Sequence, residues 1–128
     1  MGGGDTRLVI DRYFSGHADR SIFADDIEFQ MFGEPARYVG VDAIMKRFDQ
    51  IYGAAFSPSA AEAERIFVDG GTAIVEFTFR GTSTGAMGGT APPGTDVTVP
   101  MCGVYEVRDG KIRRARIYFD GAAFLRGT

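Results

Sequence analysis

Residues 96–119 read DVTVPMCGVYEVRDGKIRRARIYF, and this stretch decides the fold. Asp109-Gly110 lies near its middle. An Asp-Gly pair between two alternating runs is the strongest short-range signal for a two-residue β-hairpin, because both central residues of its turn need a positive φ. On one side Met101, Gly103, Tyr105 and Val107 alternate with Cys102, Val104, Glu106 and Arg108. On the other, Ala115, Ile117 and Phe119 alternate with Arg114, Arg116 and Tyr118. A period of two puts each set on its own face of a sheet. Two long antiparallel strands, 96–108 and 111–119, are therefore predicted.

Working outward, Asp69-Gly70-Gly71 joins two further strands, 61–68 and 72–80. In the second, Ala73, Val75, Phe77 and Phe79 share a face. Residues 82–95, rich in Gly, Thr and Pro, read as a loop. Upstream, Ile27, Phe29 and Met31 alternate with Asp26, Glu28 and Gln30, which predicts a strand over 26–32. Gly33-Glu34-Pro35 is a turn, and 36–39 a short returning strand. Residues 41–52 form the clearest helix: Ile44, Phe48, Ile51 and Tyr52 make one apolar stripe. Asp42 suits its first turn, and Gly53 its stop. Leu8, Ile10 and Tyr13 place a short helix over 7–14, ended by Ser15-Gly16. A second helical turn is expected over 18–24. The order is α+β, with about three helices packed inside a curved, mixed or antiparallel sheet. The inward residues of such a sheet line the core and any pocket within it.

Composition narrows the function. The chain has 128 residues, 45% apolar and 24% charged, which suits one domain spanning 1–128. Its net charge of −3 argues against a nucleic-acid partner. One Cys and one His exclude an internal disulfide framework and zinc sites built from several of either. No metal or organic cofactor is implied. No apolar run is long enough to span a bilayer, and no signal-peptide pattern is present. A cytoplasmic protein without a membrane partner is expected. Met1-Gly2 with Thr6 fits the loose myristoylation pattern, but no basic patch follows, and a flexible glycine start is the preferred reading. His17 falls in a polar turn and is expected in solvent. Cys102 has no neighbouring His or Lys to activate it. Arg113, Arg114 and Arg116 are expected to pair across strands with Glu62, Glu64, Glu76 and Glu106.

Several strings carry a resemblance. They are Arg12-Tyr13, Phe23-Ala24-Asp25-Asp26, Gly40 with Ala43-Ile44, and Gly81-Thr82-Ser83-Thr84-Gly85. Pro92-Pro93, Val99-Pro100, Val107-Arg108-Asp109-Gly110-Lys111-Ile112 and Tyr118-Phe119-Asp120 complete them. Over nearly its whole length the chain resembles the NTF2-like superfamily, and within it the SnoaL-like polyketide cyclase and ketosteroid isomerase-like branch. The resemblance implies a cone-shaped α+β fold and a homodimer. Isomerase-like relatives carry a carboxylate base where this chain has Met31, and an acid where it has Cys102 or Gly103, depending on alignment. Neither position holds a carboxyl, and a thioether takes no proton at neutral pH, so that isomerase activity is not expected. The oxyanion tyrosine of that branch matches Tyr13. The acid–base Asp of cyclase-like relatives matches Asp120. The His common in the Gly-Thr-X-Thr-Gly string is here Ser83, and polar positions of the last strand hold Ala115 and Ile117.

The candidate catalytic residues are thus Asp120 and Tyr13. Asp120 would remove a proton next to a carbonyl, and Tyr13 would stabilise the enolate. The alternative for Asp120 is a strand-end cap or a partner of Arg116 or Arg126; strict alternation sets it opposite Phe119, and only a bulge would turn it inward. The predicted lining is Phe29, Met31, Phe48, Tyr52, Val75, Phe77, Phe79, Met101, Tyr105, Ile117 and Phe119. Such a wall prefers a flat or polycyclic apolar guest with a tyrosine hydroxyl to orient it, and the resemblance implies a small hydrophobic carbonyl compound of polyketide or steroid type. The expected function is acid–base enolisation, cyclisation or isomerisation of that compound. The alternative is a non-catalytic binding protein using the same pocket.

Overall fold

The computed structural model describes residues 3–15, 20–32, 37–52, 54–86, 91–120 and 122. Helix α1 covers Gly3–Phe14, and a single 3-10 turn covers Arg20–Ile22. Strand β1 (Phe23–Phe32) and strand β2 (Arg37–Val39) precede helix α2 (Val41–Ile51). Strands β3 (Phe56–Asp69), β4 (Thr72–Ser83), β5 (Asp96–Arg108) and β6 (Lys111–Phe119) complete the chain. All six strands form one sheet in the order β2-β1-β6-β5-β4-β3. Only the β1–β6 pair is parallel, so the sheet is mixed, as expected.

The Asp-Gly signal is realised: Asp109 has φ 55° and Gly110 φ 76°, and Arg108 pairs with Lys111 across the turn. Register then stacks the inward residues into rows. One row runs Met31, Ile117, Gly103, Val75; the next runs Phe29, Ala115, Tyr105, Ala73. A third pairs Met101 with Phe77, and a fourth Val99 with Phe79. Every residue named in these rows, with Gly103 among them, is buried. The helices cover this concave face. α1 turns Val9, Ile10, Tyr13 and Phe14 inward, and Thr6 anchors it by donating to the Gly70 carbonyl at 2.7 Å in the β3–β4 turn. α2 contributes Val41, Ile44 and Ile51.

The outer face carries the charges. Arg114 reaches Glu28 at 3.1 Å and Glu106 at 3.5 Å, Arg116 reaches Glu106 at 3.0 Å, and Arg37 reaches Glu28 at 3.4 Å. Exposed pairs of this kind contribute little each. Their main effect is to keep ionised groups off the concave side.

Four expectations are corrected. Among the described residues there are two α-helices, not three: the expected helix over 18–24 is one 3-10 turn within its described part, because Phe23 already pairs with Ile112 as the first residue of β1. Residues 18 and 19, like His17 and the turn 33–35, lie outside the described residues. β3 begins at Phe56, not at residue 61, and carries Pro58 inside it, which an edge strand tolerates. In α1, Leu8 faces solvent and Val9 faces the core. Tyr52 is the C-cap of α2, not part of the helix. Among the described residues, no helix is long and apolar enough to cross a membrane.

Gly110 has open space around it and φ 76°. Gly110→Ala therefore meets backbone strain and no clash. We expect a loss of about 1 kcal/mol in chemical denaturation; an unchanged midpoint would contradict this account of the turn.

Candidate functional site

Between the two helices and the concave face lies a cavity of about 570 Å³. The end of α1 supplies Tyr13, Phe14 and Ser15; α2 and its cap supply Phe48, Ile51 and Tyr52. The sheet supplies Phe29 and Met31 from β1, Phe77 and Phe79 from β4, Met101 from β5 and Ile117 from β6. Ser59, Ala60 and Ala61 of β3 close the remaining side. Depth sorts these residues. Phe29, Met31, Phe77, Phe79, Met101 and Ile117 are buried and make the floor. Ser15, Tyr52 and Ala60 are exposed and make the mouth. The small side chains of Ser59, Ala60 and Ala61 leave that side wide.

Rigid rings brace the walls. Phe48 stands edge-on to Phe29 (5.4 Å, 83°) and to Tyr52 (6.0 Å, 90°), and Tyr52 stands edge-on to Phe79 (5.5 Å, 69°). Tyr13 meets Phe14 (5.0 Å) and Phe23 (6.0 Å) edge-on and lies 5.5 Å from Tyr105. Edge-to-face arrangements are preferred because the ring edge is positive and its face negative.

The polar atoms of the wall are hydroxyls. Among the described residues, no Asp, Glu, Lys, Arg or His lines this cavity. Burial pushes the phenol of Tyr13 well above its ordinary range, and the neighbouring Tyr52 adds to this. Burial pushes Tyr52 up to about 12, although 38% of its surface still meets solvent through the mouth. Tyr105 is raised too, first by burial and then by Tyr13. These phenols are therefore neutral hydrogen-bond donors at any physiological pH. The Tyr13 and Tyr105 hydroxyls influence each other, Tyr105 as the donor side. Yet the contact falls short of a formed hydrogen bond, so Tyr105 Oη is buried without a partner.

Of the residues expected to line a pocket, Phe29, Met31, Phe48, Tyr52, Phe77, Phe79, Met101 and Ile117 do so, together with Tyr13. Val75 and Tyr105 lie beneath the lining, fully buried. Phe119 is half-buried against the core and outside the lining. Asp120 is exposed and also outside it, and its Oδ1 accepts the Ala122 N–H at 3.0 Å. β6 has ended by that point, and no described bulge turns residue 120 inward. Sequence reasoning missed Phe14, Ile51 and the Ser59–Ala61 side. The stripe Thr6, Val9, Ile10, Tyr13, Phe14 has helical spacing and could have revealed Phe14. Nothing local marks Ser59 or Ala60, which precede the start of β3 expected from alternation. Cys102 lies on the other face, half-buried beside Tyr118. Among the described residues, no group of His, Cys, Asp and Glu could hold a metal ion.

A family model, SnoaL-like polyketide cyclase, matches residues 17–127. No curated protein matches the chain. Solved structures share its fold at low identity. A candidate SnoaL-like polyketide cyclase from Jannaschia sp. CCS1 superposes with a TM-score of 0.80 at 18% identity, covering 98% of this chain and 95% of its own. An LEH-like epoxide hydrolase from M. tuberculosis gives 0.72 at 21%, covering 98% and 92%. TerC, co-crystallised with polyporic acid, gives 0.74 at 20%, covering 94% and 95%. The different names attached to one fold show that the architecture fixes no single reaction. The matched model and the helix-lined concave sheet agree: this chain belongs to the SnoaL-like polyketide cyclase family, with an NTF2-like fold.

Proposed function

We propose that this protein binds a neutral, mostly apolar carbonyl compound of polyketide or steroid-like size, with Tyr13 donating a hydrogen bond to its oxygen. The observation that carries the reading is the lining itself. Rings and thioethers offer an apolar guest most of its contacts, and burial of its surface drives binding. An ionised guest would enter without a counter-charge among the described lining residues, which is costly. A neutral carbonyl asks only for a donor, and Tyr13 is one. TerC, of the same fold, was co-crystallised with a small molecule; a small-molecule guest is consistent with that.

The catalytic version of this proposal has Asp120 take a proton from the carbon beside the carbonyl, leaving the charge on an oxygen held by Tyr13. It requires the Asp120 carboxylate to leave the Ala122 N–H and reach the guest. The lining as it stands favours binding over proton abstraction. We infer also that two copies pair through the outer sheet face, where Phe32 stacks on Tyr118 (4.5 Å, 5°) and Tyr118 stays 43% exposed.

Calorimetry with 9-fluorenone and with fluorene, the same skeleton without the oxygen, tests the reading. Both are expected to bind, the ketone more tightly. Tyr13→Phe is expected to remove the preference, about fivefold for one buried hydrogen bond. Asp120→Asn is expected to leave both affinities unchanged. No binding of either would contradict the cavity's role; base-catalysed exchange of an enolisable ketone's α-hydrogens, lost in Asp120→Asn, would establish the catalytic version instead.

Alkaline titration tests the state of the phenols. In the unfolded chain Tyr52 ionises near 10.0, in the folded protein at about 12. Below pH 10 both states hold the proton, and stability does not depend on this group. Between 10 and 12 the unfolded chain releases a proton that the fold retains, so stability falls as pH rises. Tyr13 and Tyr105, raised in the same direction, act with the same sign. Phenolate absorbance from Tyr13 and Tyr105 is expected only as the fold is lost, and that from Tyr52 in the folded protein only near pH 12; ionisation of all three near pH 10 in the folded protein would refute their burial.

Dimerisation is read by sedimentation velocity. A dimer that Tyr118→Glu dissociates is expected; a monomer at the highest soluble concentration would exclude pairing.

A further inference from the structure

Tyr105 occupies a seat made for it. Its neighbours in register are Ala115 on β6 and Ala73 on β4, both small and buried. Two residues earlier on its own strand stands Gly103. A Cβ at Gly103 would lie 2.5 Å from Cε2 and 2.5 Å from Oη of Tyr105. The ring thus lies along the strand over the glycine, and the hydroxyl ends in the space a side chain at 103 would fill. No side chain at 103 is compatible with this pose.

The seat holds a group that stability does not favour. Tyr105 is 0% exposed, and Oη has no hydrogen-bond partner. A buried, unpartnered hydroxyl loses its bonds to water without replacement, and phenylalanine would fit the same space without that cost. The nearest ring to which the hydroxyl is electrostatically coupled is Tyr13, 5.5 Å between centroids. Tyr13 lines the cavity, and Tyr105 stands behind it, outside the lining.

We propose that Tyr105 is a positioning residue for Tyr13: its hydroxyl, held over Gly103, completes a hydrogen bond to Tyr13 Oη when a carbonyl guest accepts from Tyr13. The inference rests on the reading of Tyr13 as the guest's donor. Tyr13 Oη can donate once and accept as well. With its acceptor side facing Tyr105 and its proton facing the cavity, the orphaned Tyr105 hydroxyl gains a partner at the moment of binding. Each bond in such a chain polarises the next, so Tyr105 strengthens the bond that Tyr13 makes to the guest. The guest class narrows accordingly. It carries an acceptor oxygen at the end that reaches the inner side of Tyr13, and its remaining polar groups lie at the mouth, near Ser15 and Ser59.

The test uses the full chain with 9-fluorenone and fluorene as probes, and the infrared carbonyl stretch of bound fluorenone as the readout. Hydrogen bonding lowers that frequency. Tyr105→Phe is expected to keep or raise the melting temperature and to leave fluorene affinity unchanged. It is expected to reduce the preference for the ketone about two- to threefold and to move the stretch part of the way toward its value in Tyr13→Phe. Replacing Tyr105 with 3-fluorotyrosine, a stronger donor, is expected to move the stretch the other way, and it keeps the test open if Tyr105→Phe does not fold. A purely structural Tyr105 would change melting temperature and leave the stretch where it is, which overturns the inference while the role of Tyr13 stands. A wild-type protein with no preference for the ketone overturns both.

Discussion

Edge-to-face contacts between aromatic rings hold the interior open. Protein cores ordinarily close to crystal-like density, and a hollow of about 570 Å³ survives here because its walls are rings that brace one another. Phe48 stands at the centre of this bracing, in contact with Phe29, Tyr52, Phe23 and Tyr13. An aromatic side chain has two torsions and no slack along its length. It cannot collapse inward as a leucine or methionine can. Each such pair contributes about 0.5–1.5 kcal/mol beyond burial, and tilting the rings to fill the space would forfeit it. The methionines at 31 and 101 then make the adaptable part of the floor.

The same sheet separates charge from hollow. Alternation sends Glu28, Glu106, Arg114 and Arg116 to the convex side, where they pair with one another, and leaves hydroxyls as the polar atoms on the concave side. That separation gives the site its chemical character. Met31 and Gly103 both stand on the inner face, the first as floor of the cavity, the second as the gap over which Tyr105 lies. A phenol from the next row fills the space above Gly103, and a neutral donor stands behind the wall.

Much of this was legible in the sequence, for reasons that are local. Asp109-Gly110 marked the turn between β5 and β6, and period-two alternation within each strand assigns Met101, Phe77, Phe79 and Ile117 to the inner face, although a bulge between Glu106 and Val107 shifts the register that the turn alone would set. The stripe of α2 did the same for Phe48. What escaped reading depends on contacts distant in sequence. The run Ser21-Ile22-Phe23 has no period that separates a helix from a strand; pairing of Phe23 with Ile112 decides it. Ser57-Pro58-Ser59 looks like a loop, yet edge position lets β3 extend through it. The seat of Tyr105 involves residues 73, 103 and 115 on three strands and is visible only after they are aligned. Asp120 is drawn by family resemblance rather than by any property of the chain's own pattern, and alternation alone already set it away from the inner face.

The central claim is that an apolar guest enters this hollow and presents its oxygen to the inner tyrosines. A crystal structure with bound 9-fluorenone tests it most directly. The account predicts the rings of the guest among Phe48, Phe77 and Phe79, its oxygen at hydrogen-bonding distance from Tyr13 Oη, and Tyr105 Oη drawn onto Tyr13. A guest seated elsewhere, or one in the hollow with its oxygen turned to Ser15 and Ser59 at the mouth, would contradict it.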